Sequence, residues 1–542
     1  MPGERGRPVR VVLSINFNHD GSGVLLVDGR IGGYVTTERR SRLKKHPGLR
    51  DDDLNELLAQ AGLRIDDIDH VLLCNLHTMD SPDIPTLHGG DLKETWLRFW
   101  VNQDNSLVDL RGHRIPCTVN PDHHLIHAAC AYFTSPYESA VAVAIDPTGC
   151  RAFVGRGNRL VPLLHNFDAW FTANVAYTEA GRLLFGSGIL GAGKVMGLAP
   201  FGRPVDPVDP GVLDGLRSFH ELEELAGVGA HTVTVGGRRL NATLAYYVQV
   251  GLERQLTRLF RELYAASVRA KVAPVLCLAG GTALNAVGTE LAFAASAFEG
   301  RHLHPACGDD GTSIGAALWY WHHVLGNPRR GFPAAELMYG VREYSPQVVR
   351  QTLDRYAADV VVERVDDHAG RAAELVAAGA VVGWFDGAGE IGPRALGHRS
   401  ILADPRDPNM PRRINAEVKF REDFRPFAPA VLLERAGEWF GVTDSPFMLR
   451  AVPVRRTDVP AVTHVDGTAR LQTVARGDNP SFHALIAAFA DRTSVPMVLN
   501  TSLNTRGEPL VETPEDALRT LLGCGLDHLV MPHMVISKRR TG

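Results

Sequence analysis

The chain has 542 residues, more than one hydrophobic core usually holds, so we expect two domains. Its hydrophobic fraction of 45% and charged fraction of 22% are typical of globular proteins, and no run of about 18 apolar residues could span a bilayer. The net charge of -4 argues against nucleic acid as a partner, and the polar start without a signal-peptide core predicts a soluble, cytoplasmic protein with no membrane partner.

The first forty residues alternate strand-like apolar runs with glycine-containing turns. Residues 11–16, 23–27 and 33–37 predict a three-stranded meander. Similar runs at residues 140–145 and 275–278 end in the turns Asp-Pro-Thr-Gly and Ala-Gly-Gly-Thr. Because strands that end in Asp or Gly turns recur in both halves, we expect a duplicated α/β unit with a ligand cleft at the strand ends.

Helical patterns lie between these strands. Residues 123–132 and 240–271 have apolar side chains at spacings of three and four. From residue 325 to 344 the composition turns to Pro, Gly and Arg, and regular patterns restart at Val348. We therefore predict one domain over residues 1–345 and a second over residues 346–542.

Two histidines and two aspartates are candidates for a metal site. His123 and His127, in PDHHLIHAACAYF, are four residues apart, which puts both imidazoles on one face of a helix. On its own such a pair is equally well explained by a cap histidine and a core histidine. Asp146 and Asp309 lie at turns after strands that would bring their carboxylates inward. This mixed N/O set suits Fe(II), Mn(II) or Zn(II), and ligand type does not choose among them.

Three more positions carry groups that could act on a substrate. His19 follows the first strand in HDGS, where it could be an acid, a base or a donor, or part of an ordinary polar turn. Lys44, in ERRSRLKKHPG, follows a basic cluster that could equally be a solvated loop. Lys194, in GKVMG, could reach a phosphate as a point charge or lie on the surface.

Two glycine turns could bring backbone close to a nucleotide. One contains Gly280, Gly281 and Asn285, and the other runs from Gly308 to Gly311. Neither matches a Walker A or GxGxxG pattern, so the shape of these turns favours a phosphate or an adenine only modestly.

The second half contains arginines among Gly, Pro, Leu and Phe, unlike the Lys and Glu neighbours of a solvated face: Arg394, Arg399, Arg421, Arg425 and Arg470. Guanidinium groups bind phosphate bidentately, so convergent arginines indicate an oxyanion pocket. The alternative is structural ion pairing with Glu390, Glu422 or Asp423. Asn500 and Asn504, in VLNTSLNTRGEP, could hydrogen-bond an amide-bearing ligand.

Together these motifs resemble the carbamoyltransferase family that includes nodulation protein U and the cephalosporin and tobramycin carbamoyltransferases. The most specific matches are HHLIHAA, GKVMGLAPFG, GDDGTSIGAAL, GPRALGHRSILADPR, REDFRPFAP and NTSLNTRGEP, and the resemblance extends from about residue 11 to residue 535. It implies an α/β protein with an N-terminal TsaD-like domain, of the duplicated actin and sugar-kinase ATPase class, followed by a YrdC-like α/β domain.

The resemblance implies an ATP-dependent O-carbamoyltransferase. Carbamoyl phosphate would be cleaved to carbamate in the second domain, and carbamate would react with ATP to form carbamoyl adenylate. A small-molecule hydroxyl, as in antibiotic tailoring, would then receive the carbamoyl group in the first domain. The alternatives are a tRNA threonylcarbamoyl-transfer enzyme and an actin-like ATPase or sugar kinase, and a homodimer remains open.

The resemblance also implies roles for single residues. The metal ligands would be His123, His127, Asp146 and Asp309, with Asp310 as the fallback for Asp309. The metal would be Fe(II) in the first place, with Mn(II) or Zn(II) as alternatives, and Mg(II) could accompany ATP. The catalytic residues would be His19 and Lys44. Cofactor and substrate contacts would come from Lys194, Gly280, Gly281 and Asn285 on the nucleotide side and from Arg394, Arg425, Arg470 and Asn500 on carbamoyl phosphate.

One turn departs from the family pattern, and two loops are candidates for the acceptor site. Pro147 follows Asp146 where the family pattern favours glycine, so we expect an altered turn beside the metal. The loops at residues 76–90 and 96–105 either line the acceptor site or lie on plain surface.

Overall fold

A computed structural model describes residues 10–76, 97, 99–163, 166–203, 232–235, 238–340 and 342–539. Of the two loops considered for the acceptor site, residues 77–90, 96 and 98 lie outside the described residues. The described residues form three large mixed sheets and one hairpin. Two of the sheets come from the N-terminal part and the third from the C-terminal part.

The first sheet has seven described strands: β1 (Val11–Asn16), β2 (Ser22–Val27), β3 (Arg30–Thr36), β4 (His70–Cys74), β5 (Phe99–Val101), β6 (Leu107–Leu110) and β7 (His113–Val119). Their order is β3-β2-β1-β4-β7-β6-β5. The antiparallel meander β1 to β3 agrees with the sequence prediction, and β4 and β7 continue the sheet in parallel from β1.

The second sheet repeats this arrangement. The next strands are β8 (Ser139–Asp146), β9 (Gly149–Arg156), β10 (Arg159–Pro162), β11 (Thr232–Val235), β12 (Arg238–Asn241), β13 (Val275–Ala279) and β14 (Gly300–His302). The sheet order is β10-β9-β8-β13-β14, while β11 and β12 form the separate hairpin. An antiparallel meander followed by two parallel strands thus occurs twice, which is the duplicated α/β unit expected from the sequence.

The helices of the N-terminal part are α1 (Thr37–Ser41), α2 (Asp51–Ala61), α3 (His123–Phe133), α4 (Ala173–Phe185), α5 (Gly188–Leu198), α6 (Ala242–Ala270), α7 (Ala286–Ala294), α8 (Thr312–Trp319) and α9 (Ala334–Met338). The core between the two sheets contains α3 and α8, whose Ile126 and Ile314 are fully buried. In α6, Leu252, Leu256 and Leu259 are buried at the predicted spacings of four and three. The sheets therefore share a central layer of helices.

The third sheet is formed by β15 (Val360–Arg364), β16 (Val382–Phe385), β17 (Arg399–Ala403), β18 (Ala428–Leu432), β19 (Arg450–Pro453), β20 (Thr468–Val474), β21 (Met497–Ser502), β22 (His528–Met531) and β23 (Met534–Lys538). Its order is β15-β23-β22-β16-β17-β21-β18-β20-β19. The accompanying helices are α10 (Pro346–Arg355), α11 (His368–Ala377), α12 (Met410–Arg413), α13 (Leu433–Phe440), α14 (Pro480–Thr493) and α15 (Pro514–Gly523). Trp384, Trp439 and Phe482 belong to a large core of this part's own.

No single helix in the described part of the chain is long and apolar enough to cross a membrane. Helix α4 and the helical stretch Gly188–Phe201, which includes α5, pass the length and composition test only as a pair bent by 88°. Both helices contribute to a buried core with the second sheet, through Tyr177, Ala180 and Val195.

Candidate active site

A cavity of about 540 Å³ lies where the turns after β1, β8 and β13 meet a loop of the C-terminal part. The N-terminal wall includes His19, Asp146, Gly281 and Asp309, and the C-terminal wall is Gly392, Pro393 and Arg394. Apolar side chains of α4, α5 and α6 complete it, among them Ile189, Met196 and Leu252. The cleft expected at the strand ends is therefore present, and it is closed by the second half of the chain.

Helix α3 presents the two predicted histidines to this cavity. Its N-terminus is capped by Asp122, whose Oδ1 accepts a hydrogen bond from the Leu125 amide at 2.7 Å. His123 is the first residue of the helix and His127 lies one turn later, so their rings meet edge to face with centroids 4.6 Å apart. Helix geometry alone thus pairs the imidazoles, as the spacing predicted.

The two predicted aspartates meet this pair from separate turns. Asp146 ends β8, and its Oδ2 lies 2.9 Å from His123 Nε2 and 4.0 Å from His127 Nε2. Asp309 Oδ1 lies 3.3 Å from His127 Nε2. One ligand atom each from His123, His127 and Asp309 lie within 4.8 Å of one another. We call His123, His127, Asp146 and Asp309 the histidine-aspartate group.

The group has the chemistry that a divalent cation requires. His127 Nε2 and Asp146 Oδ2 are buried, and their contacts with Asp309 Oδ1 and His123 Nε2 lack the geometry of a hydrogen bond, so a cation that satisfied both atoms would be favourable. Burial opposes ionisation of Asp146, but the nearby imidazoles of His123 and His124 hold its pKa well below the usual range. Asp309 is likewise buried, and His19 and His127 keep its pKa low. Two imidazoles, which bind metals in their neutral form, and two anionic carboxylates are suitable ligands for a transition metal.

Neighbouring side chains orient these ligand atoms. The Thr148 hydroxyl and amide donate to Asp146 Oδ1 at 2.6 and 2.7 Å, which leaves Oδ2 facing the histidines. Asn18 Nδ2 donates to Asp309 Oδ2 at 2.8 Å, and His123 Nδ1 lies 3.0 Å from Asn75 Oδ1. In the turn that departs from the family pattern, Thr148 therefore fixes the orientation of the Asp146 carboxylate. Thr148 and Asn18 were not identified as site residues from the sequence, where only their place after a strand marks them.

Asp309 and Asp310 have different surroundings. Asp309 contacts His127 and Asn18, whereas the Asp310 carbonyl accepts a hydrogen bond from Tyr34 and its side chain faces the cavity. Burial and the nearby Asp20 raise the pKa of Asp310 to about 7. The structure thus brings Asp309, and not the fallback Asp310, to the histidine pair.

His19 reaches the same group from the turn after β1. Its Nδ1 lies 3.0 Å from Asp20 Oδ2, and its Nε2 lies 3.6 Å from Asp309 Oδ2. Burial lowers the pKa of His19, but Asp309 and Asp20 more than offset this, so the net shift is upward. Lys45 Nζ hydrogen-bonds Asp20 and lines the cavity. Lys44, the lysine that we predicted as catalytic, is exposed and does not line the described cavity. The sequence contains no signal that distinguishes these two adjacent lysines.

The predicted nucleotide residues fall into two sets. Gly280 has a φ of +91°, and a Cβ there would come within 2.2 Å of the Ile145 carbonyl, so only glycine lets this turn approach β8. Gly281 and Asn285 line the cavity, and Asn285 Oδ1 also caps α7 by accepting from the Gly288 amide. Lys194 instead lies 2.9 Å from Glu422 Oε1, off the described cavity wall, so the structure pairs it with a carboxylate of the C-terminal part.

Arg394, Arg421, Arg425 and Arg470 form what we call the arginine cluster. Burial and the other three members lower the pKa of Arg470 well below its ordinary value, and burial and Arg425 lower that of Arg394. Within the described part of the chain, only Arg425 has a carboxylate within 4.0 Å, at 3.8 Å from Glu422. The Nε atoms of Arg394 and Arg470 are buried without a hydrogen-bond partner. Like charges packed this way repel one another, and a bound anion would compensate them.

Three other residues lie near the arginine cluster. Asn500 donates to Gln472 Oε1 at 2.8 Å, and its own Oδ1 is buried without a partner. Lys419, which was not identified from the sequence, is buried near Arg421 and Arg425. Arg399 serves packing: it donates to the Asp386 and Gly387 carbonyls and lies over the Phe385 ring at 3.7 Å. Arg399 therefore has a structural role through backbone carbonyls, and of the ion pairs considered for these arginines the described residues contain the one between Arg425 and Glu422, at 3.8 Å.

Comparison with known proteins identifies the family. Residues 89–318 match the carbamoyltransferase N-terminus model and residues 373–538 match the carbamoyltransferase C-terminus model. Nodulation protein NolNO of Sinorhizobium fredii is 35% identical over 97% of this chain and 80% of its own. The 3'-hydroxymethylcephem-O-carbamoyltransferase of Amycolatopsis lactamdurans is 31% identical over 63% of this chain and 64% of its own.

Solved structures are much less similar. An activator of the 2-hydroxyisocaproyl-CoA dehydratase from Clostridium difficile, with bound ADPNP, is 13% identical over 59% of this chain and 96% of its own, with a TM-score of 0.34. A likeness of that size carries no argument about the site. The family models and the relatives show that the chain belongs to the carbamoyltransferase family and is a carbamoyl-transferring enzyme.

Proposed function

We propose that this enzyme is an ATP-dependent O-carbamoyltransferase that uses carbamoyl phosphate and forms carbamoyl adenylate before it modifies a hydroxyl of a small secondary metabolite. The O-carbamoyltransferase names of two cephem-modifying relatives support a hydroxyl acceptor. In this proposal residues 1–345 are a TsaD-like domain that binds ATP and a metal, and residues 346–542 are a YrdC-like domain that binds carbamoyl phosphate.

The proposed reaction balances in three steps. Water cleaves carbamoyl phosphate to carbamate and inorganic phosphate. The carbamate oxygen attacks the α-phosphorus of ATP, which forms carbamoyl adenylate and releases pyrophosphate. The acceptor oxygen then attacks the carbamoyl carbon, AMP leaves, and the hydroxyl proton passes to a base. Adenylation is needed because carbamate is a poor electrophile and AMP is a good leaving group.

The residues of the arginine cluster would hold the phosphate of carbamoyl phosphate. Guanidinium groups bind phosphate oxygens bidentately, and the unpartnered Nε atoms of Arg394 and Arg470 are free for such contacts. The unpartnered Asn500 Oδ1 would accept a hydrogen bond from the carbamoyl NH2. These three atoms are buried, so an anionic amide-bearing ligand would relieve an existing cost.

The N-terminal wall would bind the nucleotide and orient the acceptor. Gly281 and Asn285 would lie against adenosine, and His19, oriented by Asp20, would hydrogen-bond the acceptor hydroxyl. A divalent metal on the histidine-aspartate group would supply positive charge beside the nucleotide phosphates. Fe(II) is our first choice, with Mn(II) or Zn(II) as alternatives. Lys45, which hydrogen-bonds Asp20 in the cavity, would take the role that the resemblance implies for Lys44.

The observation that carries this proposal is the position of Arg394. It belongs to the arginine cluster and also lines the cavity that contains His123 and Asp309. A carbamate formed at the cluster would therefore reach the nucleotide through the protein interior. Such shielding prevents hydrolysis of reactive intermediates.

The proposal is tested by measuring the products of the reaction. The enzyme is incubated with ATP, carbamoyl phosphate and Fe(II) or Mn(II), while AMP, ADP, phosphate and pyrophosphate are measured. We expect pyrophosphate release that depends on carbamoyl phosphate and is lost in His123→Ala and Arg394→Ala. Matched controls are His113→Ala and Arg519→Ala, which change partly exposed residues that pair with Asp66 and Glu515.

The alternatives predict other products. A sugar kinase or an actin-like ATPase would release ADP whether or not carbamoyl phosphate is present, and that result would refute the proposal. A tRNA threonylcarbamoyl-transfer enzyme would transfer its group to tRNA and not to a small-molecule hydroxyl.

A further inference from the structure

Helix α1 attaches the N-terminal part to two loops of the C-terminal part. Arg39, on this helix, is only 3% exposed, and its guanidinium donates to the Glu390 carbonyl and, at 2.6 Å, to the Gly392 carbonyl. Arg42, three residues on, donates to the Leu510 and Pro509 carbonyls at 2.8 and 3.0 Å. Each arginine therefore fixes a different C-terminal loop.

The loop of residues 390–394 is held from several sides. The Ile391 amide donates to the Met338 carbonyl at 2.7 Å. Gly392 has a φ of +88°, and a Cβ there would lie 2.6 Å from the Pro305 carbonyl oxygen, in the segment that leads to Asp309. Arg394, at the end of this loop, lines the cavity. The position of the Arg394 guanidinium thus depends on the position of the backbone of residues 390–392.

Resting on the proposed function, we propose that Arg39 is a positioning residue that sets Arg394 for carbamoyl phosphate and keeps its cleavage coupled to ATP consumption. The two Arg39 hydrogen bonds act on backbone carbonyls two and four residues before Arg394. A planar guanidinium can bind both carbonyls in one geometry, which a lysine ammonium on a flexible chain cannot reproduce. Glu38 and Arg39 of helix α1 both line the same cavity, so the one helix contacts both halves of the site.

The experiment measures carbamoyl phosphate affinity by calorimetry and the ratio of phosphate to pyrophosphate released with ATP. The proteins are the wild type, Arg39→Ala, Arg39→Lys and the matched variant Arg42→Ala, which also loses two hydrogen bonds to carbonyls of a C-terminal loop. Thermal unfolding and metal content show that each variant is folded and that the histidine-aspartate group is intact.

We expect Arg39→Ala to weaken carbamoyl phosphate binding by about tenfold or more, since small displacements of a positioned group have large effects. Carbamate that is no longer delivered to ATP would escape, so the phosphate to pyrophosphate ratio should rise above the wild-type value of about one that coupled steps require. Arg39→Lys should behave like Arg39→Ala, and Arg42→Ala should keep the wild-type affinity and ratio.

Three results would overturn the inference: wild-type affinity and ratio in Arg39→Ala, full restoration of both by Arg39→Lys, or equal changes in Arg42→Ala. Failure of the proposed function is recognised separately. A wild type that binds carbamoyl phosphate but releases no pyrophosphate refutes adenylation, and the affinities of the variants still decide whether Arg39 positions Arg394. A wild type that does not bind carbamoyl phosphate overturns both.

Discussion

The histidine-aspartate group pairs groups of opposite charge, whereas the arginine cluster brings together groups of like charge. In the first, each carboxylate faces an imidazole, at 2.9 Å for Asp146 and His123 and 3.3 Å for Asp309 and His127. In the second, four guanidinium groups share one described carboxylate, Glu422, at 3.8 Å from Arg425. Buried opposite charges compensate one another, whereas buried like charges do not. The first group contains imidazole and carboxylate ligands that could hold a cation, whereas the second lacks compensating charge unless an anion binds.

The strongest test of the first site removes a metal ligand. His127→Ala should lose bound metal and reduce carbamoyl-phosphate-dependent pyrophosphate release by more than about 100-fold, because changes to residues behind a ligand already cost 10–100-fold. Metal content by mass spectrometry and pyrophosphate release are the measurements. His113→Ala is the control. Full metal content in His127→Ala would show that the group is not a metal site.

The second test asks whether the arginine cluster is destabilised without its anion. Arg470→Met should raise the melting temperature of the unliganded enzyme, because it relieves repulsion from Arg394, Arg421 and Arg425. Carbamoyl phosphate at about 100 times its Kd should stabilise the wild type by about 2.7 kcal/mol and leave the variant unchanged. Arg519→Met, at an exposed arginine, is the control. A lower melting temperature in Arg470→Met would show that repulsion within the arginine cluster does not destabilise the unliganded enzyme.

The third test concerns the seam between the two parts, where Glu512 is 2% exposed and neither carboxyl oxygen has a hydrogen-bond partner. Burial raises its pKa, Arg39 and Arg40 oppose this, Glu56 and Asp516 add to it, and the result is a shift from 4.5 to about 7. The folded state thus binds the proton more tightly than the unfolded state. The favourable contribution of protonated Glu512 to the free energy of unfolding is present below pH 4.5 and is lost as the pH rises through about 7.

Glu512→Gln, which cannot ionise, should therefore stabilise the enzyme at about pH 8 by up to about 3 kcal/mol and have little effect at about pH 4.5. Unfolding midpoints at the two pH values measure this. Glu336→Gln changes an exposed carboxylate and should have no effect at either pH. An equal effect of Glu512→Gln at both pH values would mean that its charge is already compensated.

The smallest expected effect concerns the orientation of Asp146. Thr148→Val keeps the shape of the side chain but removes the hydroxyl that donates to Asp146 Oδ1, so metal affinity should fall by about tenfold. Thr148→Ser, which retains the hydroxyl, should remain close to the wild type. Competition with a chelator gives both affinities, and an unchanged Thr148→Val would mean that the backbone amide alone orients the carboxylate.

Much of the fold was predictable from local patterns. The meander β1 to β3, the strands that end at Asp146 and Ala279, and the long helix α6 agree with the predicted segments to within a few residues. Period-two and period-3.6 patterns report burial directly, so they identify such elements. The pairing of His123 with His127 was equally local, because it needs only one helical turn.

Other assignments depended on contacts that a linear pattern does not contain. Lys44 and Lys45 are adjacent and chemically identical, and only the fold turns Lys45 to Asp20. Lys194 and Glu422 are far apart in the chain and meet only because α5 packs against the C-terminal part. Arg394 and Arg399 share one motif, yet the first lines the cavity and the second holds backbone carbonyls.

The sequence by itself determined the family, the duplicated α/β unit and the residue types available for metal and phosphate chemistry. Motifs and periodicity depend on neighbours in the chain, so they carry this information. Only the tertiary structure decided which of those residues share a cavity, which charges are compensated and which remain unpaired, because Coulomb energy and desolvation depend on distance and burial in space.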